Sequence, residues 1–172
     1  ADKHHLVWYR NPEWTRFVIA ERLTELDHVC VAAMDIDGDG RAGISAGAAW
    51  NPGDTFTSGA LFYLHPPADR TQRWEPVRLA HDPTIHRIRW VRTPTGGFDL
   101  VSVPLHGRGN KQGGGDGVRI MAYHRPTNPV TQPWTTSVLA DTWHATPNLD
   151  APPLAHGGAD PLLVAAREGI FS

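Results

Sequence analysis

The stretch WEPVRLA, residues 74–80, decides the fold, because related stretches lie at regular distances on either side of it. WTRFVIAER occupies residues 14–22 and WTTSVLA residues 134–140, so the three leading tryptophans follow one another at intervals of 60 residues. Each tryptophan precedes a short run rich in apolar and β-branched residues, which is typical of a β-strand. Self-similarity at a fixed period is the signature of a repeat architecture. The sequence therefore predicts an all-β repeat protein.

Histidines mark the same repeat. His28, His86 and His144 follow one another at intervals of 58 residues, and each lies between a tryptophan-led strand and a further strand-like stretch. Four strands in about 58 residues fit one blade of a β-propeller with one long loop. We predict about three four-stranded blades, in the strand order C-D, A-D, A-D, A-B. The divisions fall at residues 1–27, 28–85, 86–143 and 144–172.

The strand count has a consequence for assembly. Twelve strands are too few to close a propeller ring, and open strand edges invite pairing with other chains. We expect self-association through the terminal stretches LVWYRNP (6–12) and DPLLVAA (160–166), a dimer having six blades, or completion by the rest of a larger propeller. A β-sandwich is the alternative fold, but it gives no reason for repeats in register.

Composition narrows the classes of partner. Sixteen basic and eighteen acidic residues give a formal net charge of −2, and the basic residues form no run, so no nucleic-acid partner is expected. The apolar stretches have the length of strands, and no charged-then-apolar leader begins the chain. A soluble protein with no membrane partner is predicted. The single cysteine, Cys30, lies in an apolar run, which predicts a buried, unreactive thiol.

An acidic turn, DIDGDG at residues 35–40, indicates a metal site. Asp35, Asp37 and Asp39 occupy alternate positions, which places three carboxylates on one side of a tight loop, as calcium or magnesium requires. The turn is not an EF-hand, since position 12 of the loop is Ala46. The sequence therefore predicts a structural Ca²⁺ or Mg²⁺ site. The alternative is an Asx-turn whose carboxylates only bond backbone amides.

The acidic turn resembles the FG-GAP or VCBS class of propeller repeat, whose blades carry a DxDGDG turn between their first two strands. With SGALFYL (58–64), DRTQRWEPVRL (69–79), HDPTIHRIRW (81–90) and FDLVSVPLHGRG (98–109), nearly the whole chain is similar to the propeller domain of the aldos-2-ulose dehydratases and their bacterial relatives. The resemblance implies a metal-dependent lyase that removes water from a 2-keto sugar, such as an anhydrofructose or aldosulose. It also implies a zinc ion in the propeller cleft and a small carbohydrate as partner.

Strand order supplies candidate ligands for zinc. In a propeller, a residue just before strand A lies at the mouth of the central channel, so His28, His86 and His144 are expected to converge there. Three neutral imidazoles with an open fourth position make a catalytic Zn²⁺ site. The alternative is that each histidine forms hydrogen bonds within its own blade and stabilises the repeat.

The loops between strands B and C open on the same face and supply the remaining candidates. His106 is the candidate general acid and base, because it shares that face without belonging to the repeated triple. Arg108 is expected to hold sugar hydroxyls or a developing oxyanion, and Trp50 to pack against a pyranose ring. Further substrate-binding candidates are Asn51, Arg167 and Glu168.

Two other classes of function remain open. One is a non-catalytic binding or scaffold propeller in which the cation is structural. The other is a propeller-type polysaccharide lyase, which is expected to line a long groove with several basic residues, and the sequence offers few.

Overall fold

The structure is a computed structural model that describes residues 2–110, 112–154 and 158–172. These residues form thirteen β-strands in four antiparallel sheets, and no helix occurs among them. The predicted all-β class is confirmed. Nothing in this part of the chain qualifies as a helix able to cross a membrane.

The four sheets follow one another along the chain, and in each of them neighbouring strands are also consecutive in sequence. The first sheet pairs β1 (His5–Arg10) with β2 (Thr15–Glu21). The second contains β3 (Cys30–Met34), β4 (Gly43–Ala48), β5 (Ala60–His65) and β6 (Glu75–Leu79). The third contains β7 (Ile85–Arg92), β8 (Phe98–Pro104), β9 (Ile120–His124) and β10 (Thr135–Ala140). The fourth contains β11 (Asn148–Asp150), β12 (Leu163–Ala166) and β13 (Gly169–Phe171).

A separate apolar core fills each space between successive sheets. Side chains alternate across a strand, so one strand serves two cores when both of its faces are covered. In β5, Phe62 and Leu64 belong to the core shared with the first sheet, whereas Leu61 and Tyr63 belong to the core shared with the third. A third core joins Val101 and Val103 of β8 to Leu149 and Val164 of the fourth sheet. The sheets are therefore stacked face to face in chain order.

The first strands of the last three sheets are neighbours, because β7 packs against β3 on one side and β11 on the other. Their antiparallel partners are β4, β8 and β12, so the starts of the first strands and the ends of these partners lie at the same end of the sheets. We call this end the rim. The acidic turn joins β3 to β4 at the opposite end.

The three repeated tryptophans do not play one role. Trp74 and Trp134 precede β6 and β10, and each donates its indole N–H to a backbone carbonyl of the preceding turn, at 3.2 Å to Arg70 and 3.0 Å to Pro129. Trp14 instead has a positive φ of 54° and is 68% exposed. The first sheet packs against a neighbour on one face only within the described residues, so nothing there covers Trp14.

The fourth sheet has one strand more than the sequence analysis assigns to it. Arg167 and Glu168 form a two-residue turn after β12, and Gly169, with a φ of 149°, starts β13 antiparallel to it. The strand is short and its Ile170 is exposed, so it lacks the apolar alternation that marks the other strands.

Candidate functional site

His86 lies at the rim on a β-bulge of β7. Ile85 pairs with Pro104, and Arg87 already pairs with the next residue of β8, Val103, so His86 has no partner in the register. Bulges change the direction of a side chain and are frequent beside active sites. The imidazole stacks on the indole of Trp50, with ring centroids 5.1 Å apart and an interplanar angle of 28°. The bulge therefore brings two of the predicted site residues into contact.

The surroundings of His86 favour its neutral form. Burial lowers the pKa of His86 below the ordinary value of 6.5, and the positive charges of Arg87 and His106 lower the pKa further. Its Nδ1 is buried and has no hydrogen-bond partner among the described residues. A neutral imidazole can accept a proton or ligate a metal near neutral pH.

His106 follows β8 at the same rim, and its backbone is held from two sides. The hydroxyl of Thr84 accepts the His106 N–H at 3.0 Å and donates to the His106 carbonyl oxygen at 2.9 Å. His106 also forms an isolated antiparallel bridge with Ala145, which ties the third sheet to the segment before β11. Its Nδ1 is buried without a partner among the described residues. The residue also lines a cavity of about 30 Å³, which is room for one water molecule.

Arg108 stands beside that cavity in an ion-pair group. Its Nη1 donates to the carbonyl of Phe56 at 3.1 Å, and its Nη2 lies 3.7 Å from Oδ1 of Asp82. Nη1 of Arg119 lies 3.5 Å from the same Asp82 oxygen. The Asp82 side chain is only 12% exposed. One carboxylate therefore orients two guanidinium groups, and the group keeps a net positive charge suited to an oxyanion.

His144 and Glu168 form a hydrogen-bonded pair at the rim of the fourth sheet. The His144 Nδ1 lies 2.8 Å from Oε1 of Glu168. That hydrogen bond lowers the pKa of Glu168 from its ordinary value of 4.5. The side-chain amide of Asn110 also donates to the carbonyl oxygen of His144. A carboxylate on Nδ1 fixes the orientation of an imidazole.

The glycine-rich loop, described at residues 107–110 and 112–117, brings backbone close to backbone. A Cβ added at Gly107 would overlap the carbonyl oxygen of Asp116, and one added at Gly117 would overlap that of Asp141. The Asp116 N–H donates to the Arg108 carbonyl at 2.9 Å. The glycines therefore let backbone approach backbone beside the cavity, which holds Arg108 in place.

Two predicted substrate-binding residues serve other contacts. Asn51 is exposed, and its side-chain oxygen accepts the Gly53 N–H at 3.1 Å in a local turn. The Arg167 side chain lies against Gly113 of the glycine-rich loop, where it occupies the space of a Cβ. Its backbone N–H donates to Ala145 at 2.8 Å. Arg167 thus braces the loop.

The three repeated histidines do not meet in this structure. Among the described residues, the acidic turn is the only group of three whose ligand atoms all lie within 4.8 Å of one another. The Nδ1 of His28 lies 2.9 Å from the carbonyl oxygen of Asp2, and the Nδ1 of His144 is paired with Glu168. His86 stacks on Trp50. Tetrahedral zinc needs its ligand nitrogens at about 2.0–2.1 Å. The arrangement does not fit one shared zinc ion, and no step below depends on zinc.

The acidic turn brings Asp35, Asp37 and Asp39 together as a candidate cation site. The same carboxylates also cap the loop: Asp35 accepts the N–H groups of Gly38 and Gly40 at 2.8 and 2.9 Å. Both glycines have positive φ angles, 77° and 80°, which the tight loop requires. Each carboxylate oxygen has a second lone pair, so capping and cation binding are compatible.

Sequence reasoning missed four residues that build the rim: Thr84, Asp82, Asn110 and Arg119. Each acts through contacts between segments distant in sequence, which no local pattern marks. The only local signals are the Asp-Pro pair at 82–83, typical of a turn, and the position of Asn110 directly after a glycine in a glycine-rich stretch.

No family model matches the chain. No curated protein matches it either.

Proposed function

We propose that this chain is a section of a propeller-type repeat protein of the FG-GAP class, and that its rim removes water from a small 2-keto sugar by β-elimination. Two features support the fold. Each apolar core is shared by two successive sheets, and the first strands of those sheets are neighbours, as in blades arranged around an axis.

The observation that carries the activity is the grouping of three histidines at one rim. His106 is close enough to His86 for its charge to lower the pKa of His86, and it is bridged to Ala145, the residue after His144. His106 has a ring nitrogen without a hydrogen-bond partner among the described residues, and His144 is paired with a carboxylate, so the two suit the roles of base and acid on the same face. These groups come from two different sheets.

The residues suit the two proton transfers of an elimination. His106 takes the proton from the carbon next to the sugar carbonyl, and the electron pair moves onto the carbonyl oxygen as an enolate. Arg108 stabilises that oxyanion with its guanidinium group. The enolate then restores the carbonyl and expels the hydroxyl of the next carbon, which leaves as water with a proton from His144. Proton exchange with solvent resets both histidines.

The aromatic and charged side chains beside the rim histidines favour a sugar as the substrate. The indole of Trp50 stacks on His86 at the rim, and an indole is a side chain on which a pyranose ring can pack. The Glu168 carboxylate, 2.8 Å from Nδ1, holds the His144 ring in one orientation for its proposed role as the leaving-group acid.

The activity is tested with 1,5-anhydrofructose by following the ultraviolet absorbance of the conjugated ketone that elimination forms. We expect the His106→Ala variant to lose at least about 100-fold of the rate. His124→Ala is the matched control, because His124 pairs with Asp99 at the opposite end of β8. An equal rate for the His106→Ala and parent chains would contradict the mechanism.

A second candidate function rests on the acidic turn. The three clustered carboxylates of Asp35, Asp37 and Asp39 support a non-catalytic scaffold module that a structural Ca²⁺ or Mg²⁺ stabilises. A parent chain that binds cation but gives no product from 1,5-anhydrofructose would favour this function over the lyase.

A further inference from the structure

A cavity of about 380 Å³ lies between the first strands of the last three sheets. Its lining comes from the start of β3 and the two residues before it, from β7 and from β11, and includes His28, Cys30, Arg87, Arg89 and Asn148. None of the rim residues proposed above for catalysis lines it. A cavity of this size accommodates a small molecule.

The bulge at His86 explains why two arginines reach this cavity. After the extra residue, Ile88 and Trp90 lie in the same core as Ile85. Arg87 and Arg89 therefore lie on the opposite face of β7. A regular strand would place Ile85 on the face opposite to Ile88. One irregular residue therefore keeps the apolar side chains together and leaves two guanidinium groups on the cavity side.

The positive charge of the cavity is not neutralised by protein groups. No Asp or Glu lines the cavity, and neither Arg87 nor Arg89 forms an ion pair within the described residues. Arg89 donates to the carbonyl of Ile88, at 2.9 Å. Burial raises the pKa of Cys30 to about 12, although both arginines act in the opposite direction. The thiol thus stays neutral and supplies no counter-charge.

Two further polar groups complete the lining. His28 is only 9% exposed, and its Nδ1 must donate to the carbonyl of Asp2, 2.9 Å away. Its Nε2 is then left buried with no partner among the described residues. Asn148 contributes an exposed side-chain amide from β11. Buried polar atoms normally have partners, and with Nδ1 donating, Nε2 of the neutral ring is an acceptor, which suits a hydroxyl group of a bound ligand.

We propose that this cavity binds a small oxyanion of the carboxylate or phosphate class through Arg87 and Arg89. Guanidinium groups match the paired oxygens of both anions in geometry and charge. A concave site of one sign also concentrates the opposite charge from solution. The site lies beneath the rim and does not depend on the elimination proposed there.

Calorimetric titration of the full chain tests the site with two probes, inorganic phosphate and glucuronate, and with glucose as the uncharged comparison. We expect phosphate or glucuronate to bind, with glucose silent up to about 10 mM. Tighter binding of glucuronate assigns the site to sugar acids, and tighter binding of phosphate assigns it to phosphate groups; either result supports the proposal.

Arg87→Gln and Arg89→Gln should each weaken the binding at least about tenfold. Arg78→Gln is the matched control, because Arg78 lies on a strand and faces the Phe62 ring outside the cavity. Circular dichroism verifies that each variant is folded. Arg89→Lys keeps the positive charge but removes the planar guanidinium group, so it separates the effect of charge from that of paired hydrogen bonding. The proposal would be overturned if neither anion bound, or if binding were unchanged in both the Arg87→Gln and the Arg89→Gln variants. Neither result would contradict the elimination proposed at the rim, which is tested separately.

Discussion

At the scale of single residues, His86 has three features that depend on the folded rim. It occupies the bulge of β7, and its ring stacks on Trp50. Its pKa is lowered first by burial and then by the charges of Arg87 and His106. The unfolded chain removes all of these influences. Protonation of His86 therefore costs more in the folded protein than in the unfolded one.

This difference predicts a pH dependence of stability. The unfolded histidine titrates near 6.5 and the folded one below it, so the unfolded chain binds more protons in that interval. The contribution of His86 to the free energy of unfolding is complete above about pH 6.5 and falls as the pH drops towards the folded pKa. Urea unfolding from about pH 7.5 to 5 should show a smaller decline for His86→Gln than for the parent. Identical declines would remove this residue as the cause.

At the scale of elements, the acidic turn between β3 and β4 has two roles in one loop. Its carboxylates cap backbone amides, which any Asx-turn does, and they also converge within 4.8 Å, which an Asx-turn does not require. Three carboxylates so close repel one another unless a cation lies among them. Nη2 of Arg125, 3.8 Å from Asp37, offsets part of that repulsion.

Cation binding by this turn predicts a stability that depends on calcium. Excess calcium should raise the melting temperature of the parent chain by at least about 3 °C relative to chelator, because a ligand of the folded state stabilises it. Asp37→Ala should abolish the rise. Asp69→Ala is the matched control, since Asp69 caps Thr71 at 3.0 Å outside any such cluster. An equal calcium response in Asp37→Ala would leave only the capping role.

Local sequence pattern predicts the regular elements well and the irregular ones poorly. WEPVRLA and WTTSVLA give β6 and β10, the strands that pair with β5 and β9 at the outer edges of the two middle sheets. β13 escapes prediction, since three residues are too few to show a period. The Trp50–His86 contact was not predicted either, because the bulge that makes it depends on the pairing of β7 with β8. Strand order alone did predict that Trp50 and His86 lie at the same rim.

At the scale of the whole molecule, the two end sheets differ from the two middle ones. Trp14 is 68% exposed on the first sheet, and Ile170 is 80% exposed on the fourth. Within the described residues, the first and fourth sheets each pack against another sheet on one face only, whereas each middle sheet packs on both faces. Uncovered faces beside exposed apolar groups are features of surfaces that another sheet covers.

These surfaces predict self-association of the chain. Light scattering on the eluting protein should give a mass near twice 18.9 kDa, and Trp14→Lys combined with Ile170→Lys should return it to the monomer. Leu139→Lys is the matched control, because Leu139 is 51% exposed on β10, an outer strand of a middle sheet. A parent chain that stays monomeric at high concentration would exclude this association.

The division of the interior into three separate cores bears on the order in which a ribosome-bound chain can become ordered. The core between the first two sheets contains no buried residue beyond Trp74, the second core needs the chain as far as Trp134, and the third needs Val164. Each core joins sheets that are adjacent in sequence, so none must wait for a distant segment. Nascent sheets can therefore stack one after another during translation, each new sheet covering the apolar face that the previous one has just exposed.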